Sequence, residues 1–253
     1  MMRAGAGKLG RLRADSAALF VCDVQEKFRP GMPSFDTAVK AIGNSMRGAQ
    51  ALGIPSVITG RGRPRFASKF LPCLFSPPAT AAIPVPATSP PLPTPHAHLH
   101  HQADSTAGPA EQYPEKLGKT VGELSDLVDS SSRCFAKTRF SMLTPEVEKS
   151  LKQMSHVHQI MLCGLETHVC VLQTALDLTE QGYEVHVLVD GVISRRQGDR
   201  QVALERMKQM GCWMSTSEMA MFQMIAEKEH PKFRDISGIA KDPREDGPWM
   251  SSI

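Results

Sequence analysis

Residues 159–170 read Gln159-Ile160-Met161-Leu162-Cys163-Gly164-Leu165-Glu166-Thr167-His168-Val169-Cys170 and indicate the class of fold. An apolar run of strand length is followed by a turn, and a helix is predicted from about Cys170 onward. Strand–turn–helix units build α/β proteins, whose ligands bind at the carboxyl ends of the strands. The pattern therefore predicts an α/β fold with Cys170 at the functional edge of its sheet.

Cys170 stands where a nucleophile would be activated. At the start of a helix, a cysteine meets the positive end of the helix dipole and unpaired backbone N–H groups, and both favour thiolate over thiol. The thiolate is the nucleophilic form, so the position indicates covalent catalysis. The alternative is a small buried residue without a chemical role, as free cysteines often are.

Two further apolar strands end in charged side chains. Asp23 follows the run at residues 19–22, and Lys137 follows residues 133–136. If the three strands run parallel, Asp23, Lys137 and Cys170 project from one edge and supply a carboxylate base, a cation and a nucleophile. A single charge at a strand end is usually a solvated cap, but the three in this order predict a catalytic site.

Five motifs carry a resemblance to a known family. They are Cys22-Asp23-Val24-Gln25-Glu26-Lys27-Phe28, Glu111-Gln112-Tyr113-Pro114, Lys137-Thr138-Arg139-Phe140-Ser141, Cys163-Gly164-Leu165-Glu166-Thr167-His168-Val169-Cys170 and Ser215-Thr216-Ser217-Glu218. In these segments the chain resembles the isochorismatase-like cysteine hydrolases, which include nicotinamidases and other small-amide hydrolases. The match covers nearly all of the chain outside residues 60–110 and the extreme termini, and it looks closest to an animal group of the family.

The resemblance implies a catalytic triad of Asp23, Lys137 and Cys170. It also implies a cis peptide bond between Leu165 and Glu166. The backbone N–H groups of Glu166 and Cys170 would form the oxyanion hole.

Two aromatic residues hold motif positions near the implied substrate pocket. Phe28 and Tyr113 would line it, although an aromatic side chain near a strand end often belongs to the core instead. His168 in the turn is a weaker candidate for substrate binding, and Arg195 and Arg196 are expected to be solvated.

The implied activity is hydrolysis of a C–N bond in a small amide-like molecule, without a cofactor. Isochorismate hydrolysis in this family proceeds without the cysteine, so Cys170 indicates acyl transfer instead. The alternative is a weakly catalytic or inactive family member that acts as a protein-binding or regulatory scaffold. Preferential alkylation of Cys170 would distinguish the two.

Composition agrees with this class of protein. The 253 residues are 41% hydrophobic and 22% charged, which is ordinary for a globular chain. A formal net charge of +3 is too small to indicate nucleic acid or an anionic membrane as partner. The sequence also has no run of eighteen apolar residues that could span a membrane.

Six cysteines without C-x-x-C spacing indicate reduced thiols and an intracellular, cytoplasmic location, with mitochondrial or nuclear addresses left open. The methionine-rich C-terminal helices favour a homo-oligomer.

Strands alternate with helices over most of the chain. The alternation predicts one Rossmann-like, three-layer α/β/α domain with a six-stranded, mostly parallel sheet, formed by residues 15–59 and 111–230. A flexible basic N-terminus at residues 1–14 and a C-terminal tail at residues 231–253 are expected to flank it.

Residues 60–110 differ from the rest of the chain. They hold 11 of the 19 prolines and a single acid, Asp104, and they predict a disordered insertion because proline removes backbone donors and disfavours helix. We interpret the segment as a retained, translated intron, a hypothesis that a transcript joining Thr59 directly to Glu111 would support. Its run His96-Ala97-His98-Leu99-His100-His101 is not assigned as a metal site, because no carboxylate lies closer than Asp104.

Overall fold

A six-stranded sheet forms the centre of the protein in the computed structural model, which describes residues 9–60 and 118–242. The strand order is β3-β2-β1-β4-β5-β6, and every neighbouring pair is parallel. The strands are β1 (Ala17–Cys22), β2 (Ser56–Gly60), β3 (Ser132–Ala136), β4 (Gln159–Leu165), β5 (Glu184–Ile193) and β6 (Trp213–Ser215). The predicted α/β fold is confirmed, and the sheet is parallel throughout rather than mostly so.

Helices flank the sheet and connect its strands. They are α1 (Phe35–Leu52), α2 (Gly122–Ser125), α3 (Pro145–Gln153), α4 (Leu172–Glu180), α5 (Gln197–Gln209), α6 (Ser217–Ile225) and α7 (Phe233–Ala240). A 3₁₀ helix at Glu26–Gly31 and a π-helical turn at Thr167–Val171 complete the set. A threonine directly before a helical segment predicts an N-cap, and the structure confirms this at two helices. The side chain of Thr144 accepts a hydrogen bond at the start of α3, and that of Thr216 does so at the start of α6.

The strand order reverses between β1 and β4. Both strands are buried along their whole length and, apart from Gln159 at the start of β4, apolar, as expected for a parallel sheet covered on both faces. Chain connections leave β1 and β4 in opposite directions, which opens a crevice beyond their carboxyl ends where ligands of open α/β sheets bind. Asp23 follows β1 and Cys170 follows β4, so the topology brings these two residues to the same crevice.

Gly164 allows β4 to approach β1 closely at this point. It is paired with Cys22 and has φ of +117°, a backbone conformation that residues with a side chain rarely adopt. A Cβ atom at this position would lie 2.1 Å from the Cys22 carbonyl oxygen. The absence of a side chain therefore sets the distance between the two strand ends.

Strand β5 is longer than the sequence predicted. The largely apolar run that begins at Glu184 predicts a strand ending at Val189. This prediction is wrong, because the strand continues to Ile193 after a register shift between Leu162 and Gly164 on its neighbour β4. Asp190 lies inside this strand, and its carboxylate accepts hydrogen bonds from the backbone N–H of Ser217 at the start of α6.

Both ends of the described chain contain packed structure. Leu12 is buried and its N–H donates to Gln223 Oε1, so residues 9–14 do not form the flexible N-terminus that was predicted. Within the predicted tail, residues 233–240 form α7, whose Ile236 packs with residues of α6 in a small second cluster. This helix was not predicted because the segment is short and charged, which makes the helical spacing of its few apolar side chains hard to recognise.

The predicted insertion lies outside the described residues, except for Gly60, which ends β2 and pairs with Ala136. Across residues 9–60 and 118–242, no helix has both the length and the apolar character needed to cross a membrane.

Candidate active site

The structure brings Asp23, Lys137 and Cys170 together at the carboxyl edge of the sheet. Asp23 directly follows β1, Lys137 directly follows β3, and Cys170 lies in the π-helical turn after β4. All three are buried. A carboxylate oxygen of Asp23 lies within 4.8 Å of the Cys170 Sγ, and Lys137 Nζ forms an ion pair with Asp23 Oδ2.

Each oxygen of the Asp23 carboxylate has a partner. Lys137 contacts Oδ2, and the Thr59 hydroxyl at the end of β2 donates to Oδ1 over 3.1 Å. The Asp23 backbone N–H also donates to the Thr59 carbonyl, and Asp23 has φ of +47°. Aspartate tolerates this left-handed conformation better than most residues, and such positions are frequent at functional sites. The carboxylate is therefore held in one orientation, toward the Cys170 sulfur.

The ammonium group of Lys137 is fully occupied. Its three N–H donors meet three acceptors, namely Asp23 Oδ2, the Arg139 carbonyl at 3.0 Å and the Phe140 carbonyl at 2.7 Å. Burial favours the neutral amine, but interactions with Cys22, Asp23 and Cys170 outweigh it and raise the pKa of Lys137. Lys137 therefore stays charged and acts on the Cys170 thiolate through its field rather than through a hydrogen bond.

The thiol of Cys170 has a lowered pKa. The largest cause is a hydrogen bond from the Cys22 thiol; burial opposes it, and the charge of Lys137 adds to it. Val169 and Val171 both donate their N–H groups to the Glu166 carbonyl, which closes the π-helical turn around the cysteine. Turns of this kind occur often at functional sites.

Cys22 is the site residue that the sequence analysis did not identify. From its place in an apolar strand, the sequence predicts only a buried, reduced thiol, and none of the residue is exposed. Its Sγ also lies within 4.8 Å of both the Cys170 Sγ and an Asp23 carboxylate oxygen. The only signal in the sequence was its place directly before Asp23 at the end of β1.

The three clustered atoms are of metal-ligand type, two thiol sulfurs and a carboxylate oxygen. Lys137, however, forms an ion pair with the same carboxylate, and its positive charge opposes a second cation there. We assign no metal to the cluster. The histidine run at residues 96–101 lies outside the described residues.

The peptide bond between Leu165 and Glu166 is cis, at the position that the family resemblance implied. The Glu166 side chain accepts hydrogen bonds from the backbone N–H of Arg195 at 3.1 Å and from its Nε at 3.3 Å. Arg195 was expected to be solvated; two-thirds of its side chain is exposed, but its guanidinium is paired with the turn that carries the nucleophile.

A cavity of about 400 Å³ opens beside this turn. Its described lining consists of His168, Arg195, Arg196 and Asp199. His168 Nδ1 lies 2.9 Å from the Ser194 hydroxyl, which orients the ring at the cavity wall.

The two predicted pocket aromatics differ in what the structure describes. Phe28 lies in the 3₁₀ helix, half-buried and packed against the main core, so the core alternative accounts for at least part of its surface. Tyr113 lies outside the described residues. A pocket role for either residue stays a prediction.

Fold and site together define an α/β protein with a buried cysteine–carboxylate–lysine cluster at the switch point of a parallel sheet. A family model described as the Isochorismatase domain matches residues 17–219. The chain belongs to the isochorismatase family, and the resemblance seen in its motifs is confirmed.

Named relatives extend over nearly the whole chain. Isochorismatase domain-containing protein 2 of Xenopus laevis is 34% identical over 244 residues, covering 96% of this chain and 93% of that protein. Isochorismatase domain-containing protein 2A of Mus musculus is 34% identical over 250 residues, with coverage of 99% and 95%. Among solved structures, one described as MAR1 ribonuclease from Caenorhabditis elegans is 30% identical, with a TM-score of 0.71 and coverage of 94% and 96%.

Proposed function

We propose that the protein is a cysteine-dependent hydrolase that cleaves a C–N bond in a small amide-like molecule. Asp23, Lys137 and Cys170 are its catalytic residues, and the backbone N–H groups of Glu166 and Cys170 form its oxyanion hole. No cofactor takes part in the reaction.

One observation carries the proposal: a thiol whose pKa is lowered lies within 4.8 Å of a carboxylate oxygen that is held by a buried lysine. A structural cysteine in an apolar interior has the opposite property, because burial raises its pKa, as it does for Cys163 and Cys212. The contrast between Cys170 and the other buried thiols supports a nucleophilic role.

The first step is formation of the thioester. Asp23 accepts the proton of Cys170, and the thiolate attacks the amide carbon while the charge of Lys137 stabilises the anionic pair. The oxyanion of the tetrahedral intermediate binds to the N–H groups of Glu166 and Cys170, and each such donor contributes on the order of 3 kcal/mol to the transition state. The intermediate then collapses as protonated Asp23 gives its proton to the leaving amine.

The second step is hydrolysis of the thioester. Asp23 is again a carboxylate and takes a proton from water as the hydroxide attacks the thioester carbon. Collapse of this second intermediate expels the Cys170 thiolate and releases a carboxylic acid, and protonated Asp23 returns its proton to the Cys170 sulfur. The net reaction consumes one water and returns every residue to its starting protonation state.

The Caenorhabditis elegans neighbour is described as a ribonuclease, so RNA is a second substrate class to test. The arrangement in this chain favours acyl transfer, because a thiolate attacks carbonyl carbon readily and the site offers a carboxylate to protonate a leaving amine. A small formal net charge of +3 does not favour a polyanion.

The experiment is a screen of small primary amides, N-carbamoyl compounds and an RNA oligonucleotide, with ammonia release and RNA length as readouts. The wild-type chain is compared with Cys170→Ala and with Cys163→Ala, a matched removal of a buried thiol in β4. We expect ammonia release from at least one amide, lost in Cys170→Ala and retained in Cys163→Ala. RNA cleavage without amide turnover would assign the other reaction.

Alkylation separates the enzyme from a protein-binding scaffold, the alternative. Iodoacetamide should label Cys170 near neutral pH much faster than Cys22, Cys163 or Cys212. Equal labelling of all four thiols would refute the nucleophilic role. The cytoplasmic location and the homo-oligomer stay predictions.

A further inference from the structure

Cys22 is fixed directly beside the nucleophile. It ends β1, and its backbone is in close contact with Gly164 of β4, where a side chain would collide with the Cys22 carbonyl. The same strand β4 leads into the turn that carries Cys170. Two neighbouring strand ends therefore hold the two thiols within 4.8 Å of each other.

Burial determines which of the two thiols keeps its proton. Cys22 is completely buried, whereas Cys170 retains 8% of its surface exposed at the crevice. Burial, followed by the hydrogen bond to Cys170, raises the pKa of Cys22 well above that of an ordinary thiol. Cys22 is thus an S–H donor under conditions in which Cys170 is ionised, because a thiol without water around it must place its proton on a neighbouring acceptor.

Two other described side chains interact with the Cys170 sulfur, those of Lys137 and Asp23. Lys137 spends all three N–H donors on Asp23 and on the carbonyls of Arg139 and Phe140. The Asp23 carboxylate accepts hydrogen bonds, and it could donate one only while it holds the proton taken from Cys170. Of these three side chains, Cys22 therefore offers the thiolate a hydrogen-bond donor that does not depend on the proton transfer to Asp23.

We propose that Cys22 is a positioning residue whose S–H group donates a hydrogen bond to the Cys170 thiolate and holds it toward the crevice. The catalytic meaning of this bond rests on the proposed hydrolase function. The bond itself can be tested without a substrate, so failure of one proposal is distinguishable from failure of the other.

The test is the rate of Cys170 alkylation by iodoacetamide from pH 5 to 10, measured on the full-length chain by peptide mass spectrometry. Cys22→Ala and Cys22→Val remove the donor, and Cys22→Ser restores one as a hydroxyl. Both donor-free variants should shift the profile to higher pH. At pH 6.5 labelling should slow about three- to fivefold, because a roughly tenfold loss of thiolate is partly offset by the greater reactivity of a more basic sulfur.

Two controls keep the result specific to the hydrogen bond. Cys163→Ala also removes a buried thiol near β1, but its sulfur donates to the Phe20 carbonyl, so its profile should match the wild type. Asp23 and Lys137, the other charged groups facing the sulfur, are unchanged in every variant. Thermal melting confirms that each variant is folded.

The proposal is overturned if folded Cys22→Ala or Cys22→Val has the wild-type profile. It is equally overturned if Cys22→Ser labels as slowly as Cys22→Ala, since a merely structural role would not be rescued by a donor. If hydrolysis is never detected but the profiles shift as expected, the hydrogen bond stands and only the proposed activity fails.

Discussion

The Lys137 ammonium and the Asp23 carboxylate form an ion pair inside the protein, with 0% and 3% of their side chains exposed. Water cannot solvate either charge, so each depends on the other and on neighbouring polar groups. The pair joins the end of β3 to the end of β1 and at the same time keeps a carboxylate beside the Cys170 sulfur. Stability and the proposed chemistry therefore depend on the same contact.

Removing one partner of this pair should destabilise the protein strongly. We expect Lys137→Met to lower the free energy of unfolding in urea by about 3–5 kcal/mol, because Asp23 would remain buried without its counter-ion. Lys232→Met is the matched control, since its pair with Asp235 is about half exposed and should be worth less than about 1 kcal/mol. A Lys137→Met variant as stable as the control would show that the buried charge is not dependent on its partner.

Gly164 should not tolerate a side chain. We expect Gly164→Ala to cost more than about 4 kcal/mol or to prevent folding, because its Cβ would overlap the backbone of Cys22. Gly182→Ala provides the comparison: it also has positive φ, +84°, but nothing lies within 4 Å, so only the conformational cost of about 1–2 kcal/mol remains. Similar unfolding midpoints for the two variants would contradict the close approach of β1 and β4.

The buried thiol of Cys163 should make the protein less stable in alkaline solution. Burial raises its pKa, with the charge of Asp190 adding to the effect. The unfolded chain then releases a proton above about pH 8.5 that the folded chain retains, so stability falls as pH rises. Between pH 7.5 and pH 10 this thiol lowers the free energy of unfolding by about 2 kcal/mol. Urea unfolding at the two pH values should therefore show a loss about 2 kcal/mol smaller for Cys163→Ala than for the wild type.

Cys170→Ala should have the opposite effect to Cys163→Ala on the loss of unfolding free energy between pH 7.5 and pH 10. The pKa of Cys170 is lowered in the folded protein, so its contribution to stability is present at alkaline pH and is lost as pH falls through the folded value. Its removal should therefore make the alkaline loss steeper. Parallel behaviour of the two variants would contradict the assigned directions.

Deletion of residues 60–110 should increase the proposed activity. The segment begins at Gly60, the last residue of β2, next to Thr59, which holds the Asp23 carboxylate. Loop-closure entropy grows only slowly with length, so both forms should fold, with a difference of a few kcal/mol at most. The measurement is amide turnover by the deleted and full-length chains, and equal turnover would contradict this expectation.

Much of the site was predictable from local patterns. An apolar run that ends in Asp23, another that ends in Lys137 and a strand–turn leading to Cys170 are each visible over fewer than ten residues, and parallel strands bring such ends to one edge. Helix caps at Thr144 and Thr216 were predictable for the same reason, since the capping side chain and the N–H group it binds are three residues apart.

Features that depend on distant partners were not predictable in this way. The short helix α7 is stabilised by packing with α6, and the strand β5 extends beyond Val189 because a register shift in its neighbour allows it. In both cases the partner lies outside the segment that it stabilises. Helix and strand propensities are weak where tertiary contacts make the decision.

The amino-acid order by itself determined the α/β architecture, the family and the three charged or ionisable residues at the ends of β1, β3 and β4, because each is encoded in a short apolar run and its terminus. Only the folded arrangement decided that Cys22 lies beside Cys170 and that Arg195 binds Glu166. It also decided that the three N–H donors of Lys137 bind Asp23 and two backbone carbonyls rather than the Cys170 sulfur. These contacts join residues from separate elements, and their strength comes from the exclusion of water, which no local stretch of sequence specifies.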